Sequence, residues 1–207
     1  MRANFLKRFY DLLFSFLGLM VLSPLLVLIG VVVKVSDGGP VFFRQPRVGF
    51  HGEIFRIWKF RTMIVNAERI GLSVTRNGDP RITMVGRFLR KTKMDELPQL
   101  WNVFKGEMSL VGPRPEVSKY VDRYTSEQRK VLALKPGITD LATLEFRNEE
   151  ELLKSVEDVE SFYLSYCVPR KIELNLQYAR KANLWQDSKI ILQTLLPRTS
   201  AKISEAR

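Results

Sequence analysis

Hydrophobic and polar positions divide this chain unevenly into one long apolar run and a series of short amphipathic stretches. From Leu12 to Val33, 22 residues pass without a charge. About 20 apolar residues in a helix cross a bilayer core. Three organisations suit such a run. A cleaved signal peptide has a shorter apolar region and a small-residue cleavage site, and no convincing site follows Val33. A single bent span and a hairpin that enters and leaves by one face remain. Ser23-Pro24 sits mid-run, where Pro24 lacks an N–H and bends a helix. The Ser23 hydroxyl can satisfy a carbonyl so freed. Both flanks are basic: Lys7 and Arg8 before, Lys34, Arg44 and Arg47 after. A straight span concentrates positive charge on one side. The pattern therefore favours a re-entrant helix–break–helix over residues 1–36, with Ser23 and Pro24 as the break. Asp11, at the edge of the run, is expected to pair with Lys7 or Arg8 at headgroup level.

Beyond the turn Asp37-Gly38-Gly39-Pro40, shorter periods take over. Val41–Phe43 and Ile54–Phe60 predict two strands joined through Gly49 and Gly52. Lys59 and Arg61 alternate with aromatics there and could share a face, as solvated charges or as substrate ligands. Residues 64–80 predict loop, with a turn at Asn77-Gly78-Asp79-Pro80. Ile82–Lys93 predicts a basic amphipathic helix, suited to anionic lipid or to plain solvent. A short helix follows, with Asp95 as its N-cap and Pro98 in its first turn. Tyr120–Lys135 predicts a helix closed by Pro136-Gly137. Asn148 is expected to cap another, opened by Glu149, Glu150 and Glu151, with Leu152, Leu153, Val156 and Val159 on one face. Pro169 opens the next, and Trp185–Leu196 is a last amphipathic stretch suited to a membrane interface. The expected class is α/β, mainly helical. A re-entrant membrane segment precedes a small globular domain, 37–197, with interfacial helices and one short β-hairpin; 198–207 is a polar tail.

Charge and composition narrow the chemistry. Lys and Arg number 33 against 22 Asp and Glu, a formal charge of +11. That surplus suits an anionic partner: nucleic acid, anionic phospholipid or a phosphorylated substrate. Cys167 and His51 are each the only residue of their type. A thiolate zinc cluster is excluded, and Ser–His–Asp catalysis is weakened because its base would have to be His51, in a predicted turn. Phosphate chemistry would then rest on carboxylates, cations and a hard, oxygen-liganded metal. Arg87, Arg90, Lys91 and Lys93 lead into Asp95-Glu96. A helix start amid those cations is expected to keep Asp95 ionised and nucleophilic; an ordinary acidic first turn has the same pattern. In Gly112-Pro113-Arg114-Pro115, Pro115 restricts Arg114 to extended geometry. Pro113 and Pro115 thereby present a rigid guanidinium, suited to capturing phosphate. Among the charged groups, Asp95 and the cations Arg90, Lys59 and Arg114 are the candidates for attack on, and capture of, a phosphorylated substrate. No internal repeat, Gly-rich phosphate loop or dinucleotide fingerprint is present.

A basic head, a Pro-broken apolar run, Lys59–Met63 (KFRTM), Asp95–Leu100 (DELPQL), Gly112–Pro115 (GPRP) and Pro136–Thr139 (PGIT) occur in that order. The ordered set resembles the bacterial sugar transferases, the small monotopic phosphoglycosyl transferases, from about Lys7 to Leu196. The resemblance implies transfer of a sugar phosphate from a UDP-sugar to a membrane polyprenol phosphate, giving polyprenol-diphosphate sugar and UMP. It implies that Asp95 attacks the β-phosphate and forms a covalent phosphosugar intermediate. It also implies that Mg²⁺ binds Asp95 and the diphosphate, and that Glu96 is essential. It places the Ser23-Pro24 break in a re-entrant hairpin, with the site on the cytoplasmic face of the bacterial inner membrane. Two segments depart from the family pattern. After PGIT the chain reads Asp140-Leu141-Ala142-Thr143 instead of a Gly-x-Ala-Gln type, and Asn175 stands where many relatives carry Asp. Both leave the sugar open and the dyad intact. A membrane-anchored adaptor for nucleic acid would explain the charge but not the Asp-Glu pair or the Pro-Arg-Pro loop. A transferase moving only the sugar would release UDP instead of UMP.

Overall fold

The computed structural model describes residues 5–67, 79–153 and 156–196. Most of the predicted loop 64–80, including Asn77-Gly78, and the tail 198–207 lie outside the described residues. The chain opens with α1, Phe5–Asp37, 33 residues long. At 1.5 Å per residue it extends about 50 Å, and it is apolar enough to cross a membrane. The expected interruption at Ser23-Pro24 is not a break in the helix: α1 continues through Pro24. The Met20 carbonyl, which Pro24 cannot bond, accepts the Ser23 hydroxyl at 2.8 Å. That bond removes part of the penalty that makes proline a helix breaker.

Both ends of α1 are held by the rest of the protein. Lys7 pairs with the buried Asp187 at 2.5 Å. Arg8 donates to the Val103 and Phe104 carbonyls at 2.7 and 2.8 Å, satisfying carbonyls at a helix C-terminus. Asp11 accepts the Leu110 N–H at 3.1 Å. Asp11 therefore pairs with neither Lys7 nor Arg8, because each of these three groups finds a partner across the fold. Toward the other end, Ile29 and Val33 pack on Phe60 and Leu89. Met20, Val21, Ser23 and Pro24, between these anchorages, are exposed.

β1 (Phe42–Val48) and β2 (Ile54–Phe60) form the expected antiparallel hairpin, with Phe43 opposite Lys59 and Arg47 opposite Phe55. α2 (Met84–Thr92) is capped by Thr83, whose hydroxyl accepts the Gly86 N–H at 2.9 Å. Leu89 faces the core, while Met84 and Phe88 stand 81% and 60% exposed. α3 (Gln99–Lys105) packs on α1 and on the hairpin. Asn102 clips α3 to β2, accepting the Trp58 N–H at 2.9 Å and donating to the Arg56 carbonyl at 2.8 Å.

A second sheet is absent from the sequence reading. β3 (Ser109–Val111) and β4 (Gly137–Thr139) pair in parallel. Three residues give too short a period to announce a strand. The helix expected over Tyr120–Lys135 is instead α4 (Ser118–Val121), a turn, and a 3₁₀ segment at Gln128–Ala133. Its apolar residues, Tyr120, Val121, Tyr124 and Val131, all enter one core, so packing rather than helical period set that pattern. α5 is Leu141–Glu145, α6 only Glu149–Leu152, and α7 Val159–Phe162. Asn148 makes no side-chain cap; Asp158 caps α7 through the Ser161 N–H at 3.0 Å. A π-helical turn, Tyr163–Cys167, runs into α8 (Val168–Lys181), and α9 spans Leu184–Leu195. The largest core joins α4, α5, α7 and α8 around Leu153, Val159, Cys167 and Val168. A smaller one, with Met94 and Leu97 at its edge, lies between α1, β2 and α2 beside the Asp95-Glu96 dyad.

Candidate active site

Asp95 and Glu96 lie in a 3₁₀ turn, Met94–Glu96, between α2 and α3. Lys93 closes α2 in the left-handed conformation, φ 57°. That reversal brings the dyad back against β2. Asp95 is 7% exposed, and its Oδ1 is enclosed without a hydrogen-bond partner among the described residues. It does not cap α3, contrary to the expectation. α3 starts after Pro98, and the turn before it is closed by backbone bonds such as Leu97 N–H to the Met94 carbonyl at 3.3 Å.

The electrostatic expectation for Asp95 also changes. Burial pushes its carboxyl above the usual range and Glu96 adds to that, while Lys59, Arg90 and Lys93 pull it down. The sequence shows the cations around Asp95 but not how little water reaches it. Glu96 behaves oppositely. Burial works against its charge, yet Arg114 and Lys59 hold it well below the ordinary value. Lys59 Nζ donates to Oε1 at 2.9 Å, and Arg114 grips both oxygens, through Nη1 to Oε2 at 3.0 Å and through Nη2 to Oε1. Glu96 thus gathers two cations beside the unpaired Asp95 oxygen. The bidentate Arg114 and the point charge of Lys59 are thereby both held in place by one largely enclosed carboxylate.

The Gly112–Pro115 loop that carries Arg114 is fixed from three directions. The Gly112 N–H reaches the Thr139 carbonyl at 3.0 Å, and the Gly137 N–H reaches the Pro113 carbonyl at 3.0 Å. Gly112 and Gly137 touch backbone to backbone; a Cβ on Gly137 would lie 2.6 Å from the Gly112 carbonyl oxygen. This contact explains why Gly112 and Gly137 occur in two separate motifs. Arg47, from β1, donates to the Pro115 carbonyl at 3.1 Å. Asp140 caps α5 through the Thr143 N–H at 2.6 Å, and its other oxygen accepts the Arg114 N–H at 3.3 Å and the Asn175 amide at 2.8 Å. Asp140 and Asn175, the two departures from the family pattern, are therefore partners, and both lie behind Arg114.

Not every expected residue joins this cluster. Arg90 donates to the Thr62 hydroxyl at 3.0 Å and acts on Asp95 through its charge. Arg61 turns elsewhere: Nε bonds the Pro40 carbonyl at 2.6 Å, and both Nη atoms bond Asp37. It fastens the end of α1 to the end of β2. Lys59 and Arg61 share a strand parity but serve different partners. Arg47, expected only as a basic flank of the apolar run, and Asp140, expected only as a departure after Pro-Gly-Ile-Thr, both hold the Arg114 loop. Arg47 follows Phe43 and Gln45 at period two, on the face that carries Lys59, which was a usable signal. For Asp140 the signal was its departure from the family pattern, which did not show that it would bond the Arg114 loop.

Among the described residues no group of three or more His, Cys, Asp or Glu side chains converges as a metal cage. Mg²⁺ is commonly held by one or two carboxylates together with substrate phosphates. The unpaired Asp95 Oδ1 is a hard oxygen donor that fits such a shared site.

With this geometry in place, comparison with known proteins identifies the group. The profile described as "Bacterial sugar transferase" matches residues 2–200. The chain belongs to the bacterial sugar transferase family. It is 37% identical over 207 residues to the undecaprenyl-phosphate galactose phosphotransferase of Salmonella typhimurium, covering 93% of this chain and 40% of that protein. It is 38% identical to the UDP-glucose:undecaprenyl-phosphate glucose-1-phosphate transferase of Escherichia coli, covering 92% of this chain and 39% of that one. The exopolysaccharide production protein ExoY of Sinorhizobium fredii is 35% identical, with 91% of this chain and 83% of ExoY covered. The chain thus spans about two fifths of the length of relatives such as the first two.

Proposed function

We propose that this sugar transferase moves a sugar phosphate from a UDP-sugar to a polyprenol phosphate, the undecaprenyl carrier named in its relatives, and so starts assembly of a glycan. The observation that carries this is the buried Asp95 oxygen, unpaired, beside a Glu96 that holds Lys59 and Arg114. An Asp95 oxygen attacks the β-phosphorus of the donor. One oxygen–phosphorus bond forms, and the bond to the bridging oxygen breaks. UMP departs with that oxygen and its electron pair. An oxygen of the polyprenol phosphate then attacks the same phosphorus, and the Asp95 carboxylate leaves. Lys59 and Arg114 line the path of the phosphoryl oxygens, and Pro113 and Pro115 keep Arg114 in place. Glu96 orients both cations. Asp95 would hold Mg²⁺ with the diphosphate, where the ion would supply charge neutralisation of the departing nucleotide.

The acceptor's phosphate lies at a bilayer surface, which requires a site pinned there. We place the protein in the bacterial inner membrane with the site on its cytoplasmic face. The two anchorages of α1 support a re-entrant path. Lys7, Arg8 and Asp11 at one end, and Ile29 and Val33 at the other, bind the same domain. The exposed Met20–Pro24 segment between them suits the apex. Met84 and Phe88 of α2, with Arg87 and Lys91, suit anionic phospholipid headgroups. Nucleic acid has no role in this reading.

The test is a product assay in nanodiscs with Mg²⁺, undecaprenyl phosphate and a panel of UDP-sugars, quantifying UMP and UDP separately. UMP release that needs Mg²⁺ and is abolished in Asp95→Asn, with membrane association retained, is expected. UDP release, substantial turnover by Asp95→Asn, or silence from folded wild type across the panel overturns the reading.

A further inference from the structure

We infer that Gln99 is a substrate-touching residue, whose amide donates to an oxygen of the phosphoryl group being transferred at Asp95. The inference rests on the reading above and adds a neutral donor to its two cations. Gln99 is 2% exposed, and its Nε2 is enclosed with no hydrogen-bond partner among the described residues. Buried amide donors are nearly always paired, and those left unpaired concentrate where a ligand or chemistry accounts for them.

Asn102, three residues further along the same buried face of α3, supplies the contrast. Its amide is used completely: it accepts from the Trp58 N–H and donates to the Arg56 carbonyl and to Glu107 at 2.7 Å. An amide that serves structure in this helix is therefore saturated. Gln99 is equally enclosed and is not. Four residues before it, in the preceding 3₁₀ turn, Asp95 Oδ1 is likewise enclosed. Each lacks a hydrogen bond among the described residues. A single ligand that answers both must offer an acceptor to the amide and an electrophile to the carboxylate. A phosphoryl group offers both, with oxygens around phosphorus.

The chemistry gives this donor a distinct part. Lys59 and Arg114 are engaged by Glu96, whereas the Gln99 amide is already free and needs no partner exchanged. Donors fixed before reaction act most strongly on charge that develops during it. The same phosphorus stays at Asp95 through both half-reactions, so one donor placed there serves both.

The test compares Gln99→Leu and the isosteric Gln99→Glu with wild type, using a UDP-sugar that wild type turns over. Three readings are taken: thermal midpoint, steady-state UMP release, and single-turnover mass spectrometry of the phosphosugar on Asp95. Removing an unpaired buried donor should leave the midpoint of Gln99→Leu at or above that of wild type. Turnover and the rate of Asp95 loading should both fall about 10–100-fold, the loss expected for one hydrogen bond to a charged group. Gln99→Glu, which keeps the shape but presents an acceptor, should lose as much. If Gln99→Leu does not fold, Gln99→Glu decides alone. Turnover within twofold of wild type in a folded variant overturns the inference. So does a lowered midpoint with an unchanged loading rate, which marks a structural amide. Silence of wild type itself would instead overturn the proposed function.

Discussion

Gly137→Ala tests how the Arg114 loop is held. The added methyl would lie 2.6 Å from the Gly112 carbonyl oxygen and 2.7 Å from its Cα, with the Gly112 nitrogen nearer still. All three are backbone atoms, so no side-chain rotamer relieves the collision and β3 must separate from β4. Three backbone bonds cross this contact: Ser109 N–H to the Pro136 carbonyl at 2.8 Å, Gly112 to Thr139 at 3.0 Å, and Gly137 to Pro113 at 3.0 Å. Each contributes about 1 kcal/mol net, and overpacking adds roughly 1–3 kcal/mol. Partial loss of the bonds gives a destabilisation of about 3–5 kcal/mol. For a chain of this size each kcal/mol lowers the melting midpoint by about 2–4 °C. The midpoint should therefore fall by roughly 6–20 °C, read from tryptophan fluorescence in detergent. Turnover per folded molecule should fall too, since Arg114 lies inside the displaced loop. A midpoint within about 2 °C of wild type would show that the two strands are free to part, and would refute the account of why both motifs carry glycine.

Asp37 supplies a pH test. The Arg61 hydrogen bonds hold its carboxyl below the ordinary value of 3.8, against the opposing effect of burial. A depressed folded value stabilises the protein above the unfolded pKa and is lost as pH falls through the folded one. Wild type should melt above Asp37→Asn at pH 7, and the difference should begin to narrow as pH falls below about 4 and vanish only below the depressed folded value; equal midpoints at pH 7 would refute the role of this clamp. For topology, cysteines at Arg2 and Lys34 should react with impermeant maleimide from the same side of sealed vesicles. Labelling from opposite sides would replace the re-entrant path with a true span.

The sequence alone carried the apolar N-terminal run, the hairpin, the basic helix and the Asp95-Glu96, Pro-Arg-Pro and Pro-Gly-Ile-Thr motifs. Each is a local pattern: an uncharged stretch, an alternation, a turn residue, a run of charges. Ser23 satisfying a carbonyl beside Pro24 was legible for the same reason, since its partner lies three residues away. The parallel β3–β4 pair was not legible, because three-residue strands carry no period and their partners lie 28 positions apart in the chain, Ser109 against Gly137. Pairing across such distances also decided which charges meet. Asp11 found a backbone amide instead of a neighbouring lysine, Arg61 left the cation cluster for Asp37, and Asp140 met Asn175 behind Arg114. Above all, the opposite directions in which the two dyad carboxyls shift were set by what each one meets in the fold. Adjacent carboxylates with the same basic neighbours in sequence are driven apart because Glu96 receives Lys59 and Arg114 directly while Asp95 is enclosed and unpaired. Charge near a site is written in composition, but water's access to it is a property of tertiary packing.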